Sequence, residues 1–134
     1  MKRRWPKGKA VTVATSLNTN SIKRGEIWQV NLNPTVGKEI RKERPVLVVS
    51  SDGIGRLPIK IVAPITDWQA SFASAHWIVK IDPDQKNGLT KPSGVDTLQV
   101  RGVDIRRFLQ MRGKASSAIM EQVAAAIAML VEYQ

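Results

Sequence analysis

The chain has 134 residues, of which 43% are hydrophobic and 24% charged, and its formal net charge is +10. Its length predicts one domain with a single core, and its longest apolar runs are too short to span a bilayer. It has no cysteine and one histidine, which excludes a disulfide framework and a thiolate metal site and disfavours an imidazole zinc site. We therefore expect a cytoplasmic protein that uses no metal or other cofactor, since the lack of cysteine fits a reducing compartment.

The positive charge is unevenly distributed. Residues 1–20 contain five basic residues and no acidic ones, so they carry half of the excess, while residues 21–134 remain basic. We interpret residues 1–20 as a basic, disordered N-terminal arm, because their apolar stretch is too short for a secretory signal, and residues 21–134 as the folded domain. The charge predicts a polyanionic partner, with nucleic acid as the leading candidate, and leaves open whether the arm takes part.

The pattern of the first half of the domain predicts three strands. Residues 26–32 alternate apolar and polar side chains, which predicts a half-buried strand. A charged loop follows, and Pro45 fixes the backbone just before residues 46–49, an aliphatic run typical of a buried strand. Residues 59–65 form a second such run. Because these strands are close in sequence, we expect the charged loop and the hydroxyl of Thr66 at the strand exit to face one another across a small sheet.

The second half predicts further strands and one helix. Strand patterns cover residues 76–81, 95–103 and 108–111, and Asp104 is placed to cap one helical turn between the last two. From Ser117 onward, apolar residues recur at helical spacing. Short strands joined by loops and followed by a terminal helix indicate a mainly β fold, an antiparallel and partly closed barrel with a C-terminal helix.

Five short motifs occur in a fixed order along the domain. They are Arg-Gly-Glu-Ile-Trp (24–28), Asn-Pro-Thr-x-Gly-x-Glu (33–39), Arg-Pro-Val-Leu-Val-Val-Ser (44–50), Ala-Pro-Ile-Thr (63–66) and Leu-Gln-Val-Arg (98–101). In this order the chain resembles the MazF/PemK family of toxin ribonucleases over residues 21–133. The resemblance implies an SH3-like, partly open barrel of the MazF/PemK/CcdB type, a homodimer, and a cognate antitoxin as partner.

Arg44 and Thr66 are the leading catalytic candidates. The planar guanidinium of Arg44 suits bidentate contact with a phosphate, although an ordinary arginine at a strand entry is the competing interpretation. The hydroxyl of Thr66 can donate to a phosphate oxygen, although threonine at a strand end often caps a turn. The resemblance favours the functional interpretation of both, because they match the family's catalytic arginine and hydroxyl.

Glu39 is the third catalytic candidate. In its basic loop it should stay charged, and it is placed to accept the proton of a ribose 2′-OH, with a solvated loop glutamate as the alternative. Some members of the family use a glutamate here, usually followed by glutamine, whereas this chain has Ile40. The single histidine, His76, matches no family motif.

Four further residues are candidate RNA contacts. They are Lys38, Arg41, Gln99 and Arg101. Lysine and arginine contact phosphates, and an amide can bond to base edges or sugar hydroxyls. The last two match the family's Gln-Ile-Arg-like segment, where the glutamine lies near the RNA.

Together these features predict a sequence-selective endoribonuclease toxin that cleaves single-stranded RNA, chiefly mRNA, and is neutralised by its antitoxin. The 2′-OH would attack the adjacent phosphate and leave a 2′,3′-cyclic phosphate and a 5′-OH. The alternative is a non-catalytic module on the same fold, which would bind nucleic acid or inhibit a protein target as the gyrase-poisoning relatives do.

Overall fold

The computed structural model describes residues 21–33, 36–39, 42–54 and 56–133. The predicted N-terminal arm, residues 1–20, lies outside this part of the chain. The strands are β1 (Glu26–Asn31), β2 (Glu43–Val48), β3 (Ile59–Asp67), β4 (Ile78–Ile81), β5 (Ser93–Asp96), β6 (Arg101–Asp104) and β7 (Phe108–Lys114). A C-terminal α-helix, α1 (Ser117–Leu130), follows them. The prediction of a mainly β domain with a terminal helix is confirmed.

The strands form one antiparallel sheet in the order β4-β5-β3-β2-β1-β7, with β6 paired to β3 beside β5. β3 is the longest strand, with nine residues. One of its edges pairs with β2, and the other pairs first with β6 and then with β5. The order of strands does not return to its start, so the fold is a partly open barrel.

Each face of the sheet carries its own core, so the single core predicted from the length is wrong. The cluster inside the barrel consists of Ile22, Trp28, Val30, Leu32, Val46, Val48, Val62, Val103, Ile105 and Phe108. The cluster between the sheet and α1 consists of Ile27, Leu47, Ala63, Ile65, Val79, Ile81, Val95, Met120, Val123 and Ala126. Neighbouring residues of a strand fall into different clusters because strand side chains alternate between the two faces.

The terminal helix begins as the sequence predicts. The hydroxyl of Ser116 accepts a hydrogen bond from the backbone N–H of Ile119 at 3.2 Å, which caps the first turn. Met120, Val123 and Ala126 are buried against the sheet at helical spacing. None of the helices in the described part of the chain is long and apolar enough to cross a membrane.

Three strand predictions need correction. β1 is not half-buried, because it lies between β2 and β7 with both faces covered, and Glu26 is only 7% exposed. β2 begins at Glu43, so Arg44 and Pro45 lie inside the strand rather than before it. The single strand predicted over residues 95–103 is wrong, because a 3-10 turn, Thr97–Gln99, separates β5 from β6.

Candidate active site

The strand register brings Arg44 and Thr66 to the same level of the sheet. β2 and β3 pair with Val46 opposite Pro64 and Val48 opposite Val62. Continuing this register by two residues places Arg44 opposite Thr66. Directly opposed residues of antiparallel strands project from the same face, and here that face is the barrel interior. Both residues are half-buried, so the guanidinium and the hydroxyl belong to the open end of the barrel.

Two arginines anchor the loop that leaves β1 at this end. Arg101 of β6 lies opposite Val62 of β3, and its Nη1 donates to the carbonyl oxygen of Leu32 at 3.2 Å. The Nη1 of Arg107 donates to the carbonyl oxygens of Asn31 and Asn33. Arg101 therefore lies at the same end as Arg44, and one of its N–H groups fixes the start of the loop. Its predicted RNA contact stays a prediction.

The loop itself presents Lys38 and Glu39, and both are exposed. Its base is closed by Lys42, whose backbone N–H donates to the side chain of Asn33 at 3.0 Å. The Oε1 of Glu39 accepts the backbone N–H of Val36, so one carboxylate oxygen holds the loop turn and a base would use the other. Arg41 lies outside the described residues, and its predicted RNA contact stays a prediction.

Asp96 is a buried acid that sequence reasoning missed. It ends β5, is 8% exposed, and accepts hydrogen bonds from the backbone N–H of Leu98 at 3.1 Å and from the Nε2 of Gln99 at 3.3 Å. Burial raises the pKa of Asp96, and the hydrogen bonds from Leu98 and Gln99 oppose that rise. This carboxylate therefore orients the amide of Gln99. The only sequence signal was an Asp two residues before the backbone N–H that it caps.

The open end of the barrel thus offers a guanidinium and a hydroxyl, together with an exposed loop lysine and glutamate, and the turn between β5 and β6 offers the oriented amide of Gln99. Such groups stabilise negative charge and position a phosphodiester. Among the described residues, no group of three or more His, Cys, Asp or Glu side chains could hold a metal ion. His76 is exposed and precedes β4, away from the row that contains Arg44 and Thr66.

Comparison with known proteins gives consistent matches over most of the chain. Residues 23–131 match the family model described as PemK-like, MazF-like toxin of type II toxin-antitoxin system. The endoribonuclease MazF9 of Mycobacterium tuberculosis is 31% identical over 113 residues, which is 79% of this chain and 92% of that protein.

The fold is shared with solved structures. The MazF structure from Deinococcus radiodurans superposes with a TM-score of 0.68 at 21% identity, covering 83% of this chain and 96% of that chain. An endoribonuclease in complex with its cognate antitoxin from a mycobacterial species superposes with a TM-score of 0.67 at 16% identity, covering 84% and 97%. At these identities the structures establish the barrel and its terminal helix.

Proposed function

Because the chain belongs to the family of PemK-like, MazF-like toxins of type II toxin-antitoxin systems, we propose that it is an endoribonuclease that cleaves single-stranded RNA, chiefly mRNA, at selected sequences. The observation that carries this proposal is that Arg44 and Thr66 lie two residues beyond the last paired residues of β2 and β3, Val46 and Pro64, and so align at the open end of the barrel. A pure binding module has no need to hold a guanidinium and a hydroxyl at one level of adjacent strands. With mRNA as the proposed substrate, we expect the activity in the cytoplasm.

In the proposed reaction the ribose 2′-oxygen forms a bond to phosphorus while the bond to the 5′-oxygen breaks. Arg44 stabilises the charge that develops on the phosphate, and Thr66 donates to a non-bridging oxygen. Glu39 accepts the 2′-OH proton through the carboxylate oxygen that does not hold the loop turn. The products are a 2′,3′-cyclic phosphate and a 5′-OH. The departing 5′-oxygen takes a proton from solvent and Glu39 returns its proton to solvent, so no water is consumed in the cleavage step.

The RNA reaches this end across a positive surface. Lys38 is exposed on the loop, Gln99 is oriented by Asp96, and Arg101 lies on β6 opposite Val62. Lysine and arginine favour phosphate at any sequence, whereas the amide of Gln99 can discriminate base edges or sugar hydroxyls. Single-stranded RNA is the fitting substrate because its unstacked bases can be splayed across an open sheet end.

The test is incubation of the purified protein in EDTA with a long mixed-sequence RNA, followed by mapping of new 5′ ends. We expect discrete cuts, and Arg44→Ala and Thr66→Val should each slow them by about 100- to 1,000-fold. Lys114→Ala is the matched control and should cut at the wild-type rate. Lys114 lies on β7 opposite the backbone of Glu26, at the end of β1 far from the candidate site.

A second substrate tests the chemistry. An oligonucleotide with deoxyribose at the mapped cleavage position lacks the nucleophile and should survive. Cleavage of this substrate would refute the proposed reaction. Binding of RNA without any cuts would favour the non-catalytic module on the same fold, and growth inhibition that survives Arg44→Ala would favour a protein target.

An antitoxin is the proposed protein partner. The mycobacterial complex is a solved example of an endoribonuclease with its cognate antitoxin, and a net charge of +10 suits an acidic, partly disordered tail laid over the site. We expect a short open reading frame beside the toxin gene whose product blocks cleavage at equimolar ratio. A product that leaves cleavage unchanged would contradict this partner.

We also propose that two copies of the chain pair as a homodimer. Ile59 and Ile61 project from the outer face of β3 and are 48% and 44% exposed, and nearby Leu57 is 60% exposed. A second copy would remove these apolar side chains from water. Sedimentation should give the dimer mass for the wild type and the monomer mass for Ile61→Asp. A wild type that sediments as a monomer at micromolar concentration would contradict the pairing.

A further inference from the structure

The row of residues that contains Arg44 and Thr66 continues across two more strands. On the other edge of β3, Thr66 is opposite Gly94 of β5, and Gly94 is opposite Lys80 of β4. Opposed residues share a face, and neighbouring strands lie about 4.8 Å apart. Lys80 is therefore about 10 Å from Thr66 along one row, close enough to serve a nucleotide beside the scissile phosphate.

Two aromatic rings cover the middle of this row. A Cβ on Gly94 would lie 3.4 Å from the Trp68 ring and 3.5 Å from the Phe72 ring, which places both rings on the face that Thr66 occupies. The rings meet edge to face, with centroids 5.5 Å apart. The Nζ of Lys80 lies over the Trp68 ring, 5.4 Å from its centroid. An indole, a second ring and a cation thus form one cluster beside the candidate catalytic pair.

Gly94 lets the Trp68 and Phe72 rings lie close to the backbone of β5. A Cβ there would also lie 2.6 Å from the side chain of Ile78, so any larger residue would push the rings upward. The ring of Trp68 is half-buried rather than enclosed, and Lys80 is exposed. A tryptophan that served only to fill the core would not need an exposed cation above its ring.

We propose that Trp68 and Lys80 form a subsite for one nucleotide of the RNA, with the base stacked on the indole and the lysine on an adjacent phosphate. The proposal rests on the proposed ribonuclease function and adds a specificity-determining position to it. Bases of every type stack on an aromatic face, and a cation beside that face binds the backbone. On binding, the ammonium of Lys80 moves from the ring to the phosphate and the base takes its place.

The experiment measures binding of an RNA oligonucleotide that carries deoxyribose at the mapped cleavage position. Trp68→Leu keeps an apolar side chain over Gly94 but removes the aromatic face, and should raise Kd by about 5- to 100-fold. Lys80→Gln should reduce the slope of log affinity against log salt by about 0.7, the contribution of one single-strand phosphate contact. Lys114→Gln removes the same charge elsewhere and should leave Kd and the slope near their wild-type values.

Abasic nucleotides identify the stacked base. Replacing one base of the oligonucleotide at a time should reveal a position whose loss weakens binding to the wild type but adds nothing to the loss in Trp68→Leu. If every abasic position costs the two proteins the same factor, no base stacks on Trp68 and the proposal is overturned. It is also overturned if Trp68→Leu binds as tightly as the wild type.

A conservative variant covers the case in which Trp68→Leu does not fold. Stacking of a base on an indole quenches its fluorescence, so the oligonucleotide should quench the wild type and Trp77→Phe but leave Trp68→Phe unquenched. Equal quenching in Trp68→Phe overturns the proposal. Failure of the ribonuclease hypothesis looks different, because the wild type would then leave RNA uncut, and the same binding measurements with an uncut mixed-sequence RNA would still decide the subsite.

Discussion

Lys60 is a buried cation at the end of the barrel opposite the candidate active site. It is 3% exposed, and its strand partner is the buried Val103, so its side chain projects into the barrel interior. Burial lowers the pKa of Lys60 and nearby Lys23 adds to the effect, while Asp52 and Glu26 oppose it. No carboxylate of the described residues pairs with it within salt-bridge distance.

We predict that Lys60→Met stabilises the protein at pH 7. Methionine keeps the unbranched shape and removes the cost of burying a charge, which for comparable replacements gains about 1–3 kcal/mol. Glu26 keeps its hydrogen bonds from the Nε1 of Trp28 at 3.0 Å and the backbone N–H of Lys23 at 2.8 Å, so its carboxylate is not left without donors. A gain of 1 kcal/mol corresponds to a rise in Tm of about 3–4 °C for a domain of this size.

The stability advantage of Lys60→Met should depend on pH. The native pKa of Lys60 lies below the ordinary lysine value of 10.5, so between these two values the unfolded chain binds more protons than the native chain. Wild-type stability therefore rises with pH across that window, and the advantage of Lys60→Met should shrink there. Urea unfolding of both proteins at pH 7 and pH 10 measures this difference directly.

Lys114 is exposed, so Lys114→Met is the control and should change the free energy of unfolding by less than about 0.5 kcal/mol. A Lys60→Met protein that is less stable than the wild type at pH 7 would refute the reasoning. So would an advantage that stays constant or grows at pH 10, because the cost would then not come from the charge.

Two further predictions concern a tight turn and the buried acid. Gly88→Ala should destabilise the protein by more than about 2 kcal/mol, because Gly88 has φ +70° and a Cβ there would lie 2.1 Å from the carbonyl oxygen of Arg112. Gly37→Ala is the matched control, with φ +61° and no atom within 4 Å, and thermal unfolding should show a loss of only about 1–2 kcal/mol; equal losses would exclude the close contact as the cause. Asp96 should lower the stability of the wild type as pH rises from 3.8 towards its raised pKa, and Asp96→Asn should remove this loss. The free energy of unfolding of both proteins at pH 4 and pH 7 measures it, and the same change between these pH values in both proteins would contradict the prediction.

The sequence predicted the fold where one physical signal dominates. The aliphatic run of β3 and the helical spacing from Ser117 are such signals, and the Ser116 cap follows from local chemistry. Asp104 also caps the predicted turn, since its Oδ1 accepts the backbone N–H of Arg106 at 2.9 Å. These elements depend on residues close in sequence, which a single chain displays directly.

The errors arise where distant residues decide the structure. Nothing near Glu26 indicates that two strands and the Trp28 indole will enclose it, because that burial depends on β2 and β7. The turn at Thr97–Gln99 is stabilised by Asp96 and by a bond from the hydroxyl of Thr97 to the carbonyl oxygen of Trp77, twenty residues away. The cluster of Trp68 with Lys80 likewise exists only because β5 lies between β3 and β4.

β3 connects the stability of the barrel to the geometry of the site. Alternate residues on its inner face are Lys60, Val62, Pro64 and Thr66, and only the last is not buried. The buried pairs Val46–Pro64 and Val48–Val62 fix the register with β2. A slip of one residue would turn this whole set to the helix side and separate Thr66 from Arg44 on one edge and from Gly94 on the other. The apolar middle of β3 therefore holds both the candidate catalytic pair and the proposed nucleotide subsite in place, although none of its residues touches the RNA in either proposal.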